Sequence, residues 1–81
     1  MGFTRDSLRR WLAEEQGLDM SAVADDTPIF SGGLLDSLAM VDLLAFMEDA
    51  AGIRVRWTEL TLERIDCVAA ILQFVDLKQR G

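Results

Sequence analysis

The sequence contains no histidine and no tyrosine, and only one cysteine and one proline among 81 residues. Each gap removes a class of chemistry. A lone thiol, Cys67, cannot close an intramolecular disulfide, and without histidine no Cys/His zinc site can be assembled. The commonest general base is missing too, so the familiar hydrolase constellations cannot be written and a catalytic role is not expected. Positive charge is scarce: 8 basic against 14 acidic side chains leave a net charge of −6. A nucleic-acid duplex or an anionic membrane surface would repel such a chain. No apolar run approaches the ~20 residues of a membrane span, and Met1 to Arg10 lack the apolar stretch of a signal peptide, so a cytoplasmic location is expected. Gly2 does not announce myristoylation, because Asp6 stands where that pattern needs Ser or Thr.

What is present is apolar residue and unevenly placed acid. Hydrophobic residues make up 51% of the chain, enough to fill one small core, and the length predicts a single domain over 1–81. The segment from residue 19 to 49 holds Asp19, Asp25, Asp26, Asp36, Asp42, Glu48 and Asp49 with no Lys or Arg, while the flanks nearly balance. An acidic run of this kind serves as a solvated face or as a surface for a basic partner.

Glycines divide the chain into pieces of helical length. Thr4 is placed to cap a first helix with Leu8, Trp11 and Leu12 on one face, and Gly17 suits its C′ position. Periodicity fades from Leu18 to Leu35, where Asp25-Asp26-Thr27-Pro28 and Ser31-Gly32-Gly33 bracket Ile29-Phe30. That reads as a long loop pinned by apolar residues, and loops above ~12 to 15 residues in small domains tend to be functional. Asp36 is an N-cap for a helix from Ser37 to Ala51 with Met40, Leu43, Leu44, Met47 and Ala50 as its core stripe. Val41, Asp42, Ala45, Glu48 and Asp49 fall opposite. Ile53, Val55 and Trp57 alternate with arginines but have no partner strand, which predicts an extended connector. Thr61 is read as capping a single turn and Asp66 as capping a last helix with Val68, Ile71, Leu72 and Val75 inward. The expected fold is an all-α four-helix bundle with three main helices, a short third one and a long loop between the first two.

Gly33-Leu34-Leu35-Asp36-Ser37-Leu38 brings a serine to the first turn of the longest helix, directly after a glycine-rich loop and inside the acidic region. Helix N-termini carry unpaired N–H groups and roughly half a positive charge, which suits a phosphate esterified to the Ser37 hydroxyl. No base stands beside it in sequence, so another enzyme would have to activate the hydroxyl. Ser37 reads as a substrate serine.

Phe30-Ser31-Gly32-Gly33-Leu34-Leu35-Asp36-Ser37-Leu38, continued by Val41, Leu43 and Leu44, resembles the acyl and peptidyl carrier protein family. Ile53-Arg54-Val55 and Thr61 to Ile71 extend the resemblance over essentially the whole chain. It implies that a phosphopantetheinyl transferase moves 4′-phosphopantetheine from coenzyme A onto Ser37, with Asp36 and Leu38 beside the attachment point. The terminal thiol of that arm then carries an acyl or aminoacyl group as a thioester between enzymes. The resemblance also implies that Leu38, Val41, Asp42, Ala45, Glu48 and Asp49 meet basic patches on partner ligases, synthases or transferases. Fatty-acid carriers typically show Gly-Ala-Asp-Ser-Leu-Asp, where this chain has Leu34-Leu35-Asp36-Ser37-Leu38-Ala39 and a basic connector. Its pattern is closer to discrete carriers charged by an adenylating ligase, with fatty-acid, polyketide and nonribosomal-peptide pathways all open. A free-standing monomer is expected, with a domain cut from a larger synthase as the alternative.

Plainer readings stand beside these. Ser37 is also an ordinary helix-start residue, and Asp36 an ordinary cap. Cys67 suits a half-buried small apolar position and Trp11 the core, Trp57 fits either core or surface, and Met40 and Met47 suit the core or a cargo pocket. Asp25 and Asp26 lack the alternating oxygen ligands of a calcium loop and read as turn residues. The rival function is an unmodified acidic helical protein-interaction module, in which Ser37 is dispensable. A helix-turn-helix DNA binder is disfavoured by Asp42, Glu48 and Asp49 on the helix most like a reader.

Overall fold

A computed structural model describes residues 2–80. Helix α1 (Arg5–Glu14) starts at Thr4, whose hydroxyl accepts the Ser7 N–H at 3.0 Å while the Ser7 hydroxyl accepts the Thr4 N–H at 2.8 Å. Two otherwise orphaned donors are thereby paired. Leu8 and Leu12 are buried as the periodicity predicts. Trp11 is only half-buried; its ring stacks on Phe46 with centroids 4.9 Å apart, and Phe3 closes on Phe46 at 5.3 Å. Beyond the C-cap Glu15, Gly17 takes the left-handed φ of 72° and the Leu18 N–H turns back to the Leu12 carbonyl at 3.1 Å.

The long loop follows, with Val23 and Ile29 sunk into the core as its pins. It is not wholly irregular: Met20–Ala22 form a 3₁₀ turn capped by Asp19, whose carboxylate accepts both the N–H and the hydroxyl of Ser21. One turn of three residues leaves no periodicity for a sequence reading to find. Asp25 does more than turn the chain. Its carboxylate takes Arg5 at 2.7 Å and Arg9 at 3.4 Å, and its carbonyl accepts the Ala69 N–H at 2.9 Å, joining the loop to the first and last helices.

Helix α2 (Ser37–Ala51) has the expected bounds. Its end needs glycine: Gly52 sits at φ 68°, where a side chain would be strained, and its N–H returns to the Glu48 carbonyl. The fully buried positions are Ala39, Leu43 and Met47, with Met40, Leu44 and Ala50 only half-buried. The core line is therefore shifted toward Ala39, on the flank where Phe46, two turns on, is also partly buried and stacks on Trp11. The connector stays extended, with Val55 buried and a 3₁₀ turn at Trp57–Glu59, and among the described residues no strand forms. Trp57 is 56% exposed, which places it on the surface.

Helices α3 (Leu62–Ile65) and α4 (Val68–Arg80) complete an all-α bundle. Helix α4 touches each of the other three helices and buries Val68, Ile71, Phe74 and Val75, with Leu72 half-buried. Two expected caps are different. Thr61 holds the N-cap position of α3 with no side-chain hydrogen bond; its carbonyl accepts the Arg64 N–H instead. Asp66 does not cap α4. It ends α3, and its carboxylate reaches across to the loop at Phe30 and Ser31. The Asp25 carbonyl already serves an N–H of the first turn of α4, which leaves the Asp66 carboxylate to pair elsewhere.

Candidate functional site

The segment leading into α2 is held from behind. The Ile29 N–H donates to the Asp66 carbonyl at 2.7 Å, and the N–H groups of Phe30 and Ser31 both donate to Asp66 Oδ1 at 2.9 Å. The Ser31 hydroxyl donates to Asp66 Oδ2 at 2.5 Å. These bonds hold the Asp66 carboxyl below the usual carboxylate range, the Ser31 hydroxyl contributing most. Gly32 is required next, since a Cβ there would run into the Pro28 carbonyl oxygen. The turn closes through Gly33 N–H to Phe30 C=O and Leu35 N–H to Ile29 C=O, at 3.1 and 2.8 Å.

Asp36 is the cap that the sequence predicts. Its side chain accepts the Ala39 N–H at 3.1 Å, leaving the N–H groups of Ser37 and Leu38 without intrahelical acceptors. Ser37 is exposed in this first turn. Around it lie Leu38, 73% exposed, with Leu34 and Val41 also exposed, an apolar collar that solvent alone does not favour. A shallow depression of about 320 Å³, lined by Gln16, Gly33, Leu34, Leu35, Asp36 and Ala39, opens at the base of the helix. The collar was legible only in part. Leu34 has no helical period to mark it, and its exposure follows from the turn that buries Ile29 and half-buries Leu35.

Farther along α2 the predicted partner positions separate. Val41, Asp42, Ala45 and Asp49 are exposed. Asp42 and Asp49 share a depression of about 350 Å³ with Glu15 and Gln16 of the α1 end, and Gln16 donates to Asp42 at 3.4 Å. Glu15 is the acidic neighbour that linear spacing missed, since only the packing of α1 beside α2 brings it there. Glu48 departs from the group: it is half-buried and its carboxylate accepts the Val55 N–H at 2.9 Å, tying the connector to the helix. A connector with no partner strand leaves its N–H groups to side chains, and Glu48 is seven residues away.

The site contains a hydroxyl and no base to activate it. Lys78, the one lysine, is bound to Glu59 at 2.8 Å on α4, and that bond depresses the Glu59 carboxyl. Among the described residues no cluster of three or more ligating side chains could hold a metal ion. No helix among them is long and apolar enough to cross a membrane. The arrangement suits a displayed nucleophile acted on by a visiting enzyme. No protein-family model and no curated protein matches this chain.

Proposed function

We propose that the chain is an acyl or aminoacyl carrier protein, modified on Ser37 with 4′-phosphopantetheine by a transferase that draws on coenzyme A. The observation that carries this reading is the exposed Ser37 hydroxyl in the first turn of the longest helix, at the end of a glycine turn and ringed by Leu34, Leu38 and Val41. A phosphodiester there is favoured by the helix terminus and the two N–H groups that lack intrahelical acceptors.

When bound, the arm supplies a thiol on which cargo travels as a thioester. The chain itself contributes a rigid pedestal and an address. Tethering keeps an intermediate at high effective concentration near successive enzymes, so the carrier needs no catalytic group of its own. Asp42 and Asp49, joined by Glu15, are the carboxylates placed to meet basic patches on a ligase, synthase or transferase; such charges set encounter rate and partner choice. Glu48, committed to the connector, contributes less to that address than the linear pattern implies.

The test is incubation with coenzyme A and a broad-specificity phosphopantetheinyl transferase, followed by intact-mass measurement. A single arm-sized gain that vanishes in Ser37→Ala is the expected result. No gain in wild type, with the transferase active on a control carrier, would overturn the reading and favour an unmodified interaction module.

A further inference from the structure

Asp66 is the side chain that ties the corner between α3 and α4 to the long loop. It accepts two backbone N–H groups and one hydroxyl from the loop, across a sequence separation of 35 to 36 residues, while its carbonyl takes a third loop N–H. The carboxylate makes no hydrogen bond to α4, whose Ala69 N–H goes to the Asp25 carbonyl instead. The three loop residues it grips, Ile29 to Ser31, lie immediately before the Gly32-Gly33 turn that sets Leu34, Asp36 and Ser37 in place.

We infer that Asp66 is a positioning residue for modification of Ser37: its carboxylate clamps the loop so that Leu34, Leu38 and the Ser37 hydroxyl form one preset surface for the modifying enzyme. This rests on the carrier reading given above. Two glycines in sequence would otherwise leave the turn many conformations. With the clamp released, only a fraction of molecules would present the complete surface, and apparent affinity falls by that fraction. The turnover step, made in the enzyme's own site once the surface is engaged, does not change. The signature is a rise in KM with kcat intact.

The experiment compares wild type with Ser31→Ala, Asp66→Asn and Asp66→Ala as substrates of the transferase with coenzyme A. Amide hydrogen exchange at Phe30 and Ser31 is followed in the unmodified proteins. Ser31→Ala removes one of the three bonds to the carboxylate and should fold even if the Asp66 variants do not. Ile71→Val, a core change on α4 that leaves every Asp66 hydrogen bond in place, controls for lost stability alone. The clamp predicts KM for the carrier rising about twofold in Ser31→Ala and roughly tenfold in Asp66→Ala, with Asp66→Asn between them. It also predicts kcat within twofold throughout, Ile71→Val unchanged, and exchange at Phe30 and Ser31 accelerating in step with KM. Unchanged KM in Ser31→Ala and Asp66→Ala, despite faster exchange at those amides, would overturn the clamp and leave the carrier reading standing. A KM rise in Ile71→Val matching that of the loop variants would also overturn it, since global stability would then be the cause. Failure of wild type to gain the arm overturns the carrier reading and, with it, the inference.

Discussion

At the scale of single residues, the two neighbours of Ser37 have separable duties. Leu38 is 73% exposed and touches little of the fold, so Leu38→Glu should alter stability by less than about 0.5 kcal/mol. It should nevertheless cost the transferase roughly tenfold in kcat/KM, because it replaces an apolar contact beside the reacting hydroxyl with a charge. Equal modification rates for Leu38→Glu and wild type would show that the apolar collar is not read. Asp36 is both a cap and a carboxylate beside the site, and Asn caps as well as Asp does. Asp36→Asn is therefore expected to hold its melting temperature while Asp36→Ala loses about 1 kcal/mol, a drop of ~4 to 8 °C in a domain of this size. If Asp36→Asn melts like wild type but is modified more slowly, the charge is part of what the enzyme recognises; if both rates match, Asp36 serves the helix alone.

At the scale of elements, the sequence and the fold agree at three helix ends where a local rule decides. Thr4, Asp36 and Gly52 mark helix ends by their own chemistry, so α1 begins and α2 begins and ends where the pattern predicts. Disagreement begins where a side chain reaches out of its element. Asp66 resembles an N-cap in one dimension, and only the return of the loop to the α3–α4 corner reveals its other acceptors. Glu48 resembles a surface carboxylate until the connector folds back and needs an acceptor for Val55. Ala39, where a related pattern places an acid, is 4% exposed here. A carboxylate at 39 would have to be desolvated without a partner, so Ala39→Asp is expected to destabilise the fold by at least ~1 to 3 kcal/mol, checked by chemical denaturation. The site was legible as Ser37 and its cap; the clamp behind it was not, because no periodicity connects residue 31 to residue 66.

At the scale of the whole molecule, two sets of carboxylates act oppositely on the fold. Asp25, Glu59 and Asp66 each join different elements and are held below their ordinary range, by Arg5, Lys78 and Ser31 respectively. A depressed folded value means stability that is present above the unfolded value of ~4 and is lost as pH falls through the folded one. The other set is the remaining carboxylates of the acidic stretch, Asp26, Asp36, Asp42, Glu48 and Asp49, a segment that contains no Lys or Arg. Self-repulsion within it opposes the compact state and weakens as salt screens it. Because the bridging groups keep their charge below the ordinary carboxylate range, the melting temperature should stay level from pH 7 to about 5, then fall below about pH 4. Salt separates the two contributions: screening should raise the plateau near pH 7 and leave the hydrogen bonds at Asp66 largely in place. In Asp66→Asn the fall below pH 4 should be shallower, since one group with a depressed value has been removed. Thermal melts from pH 3 to 7 at low and high salt would check this, and an acid limb of unchanged steepness in Asp66→Asn would show that the loop bonds contribute nothing to the fold.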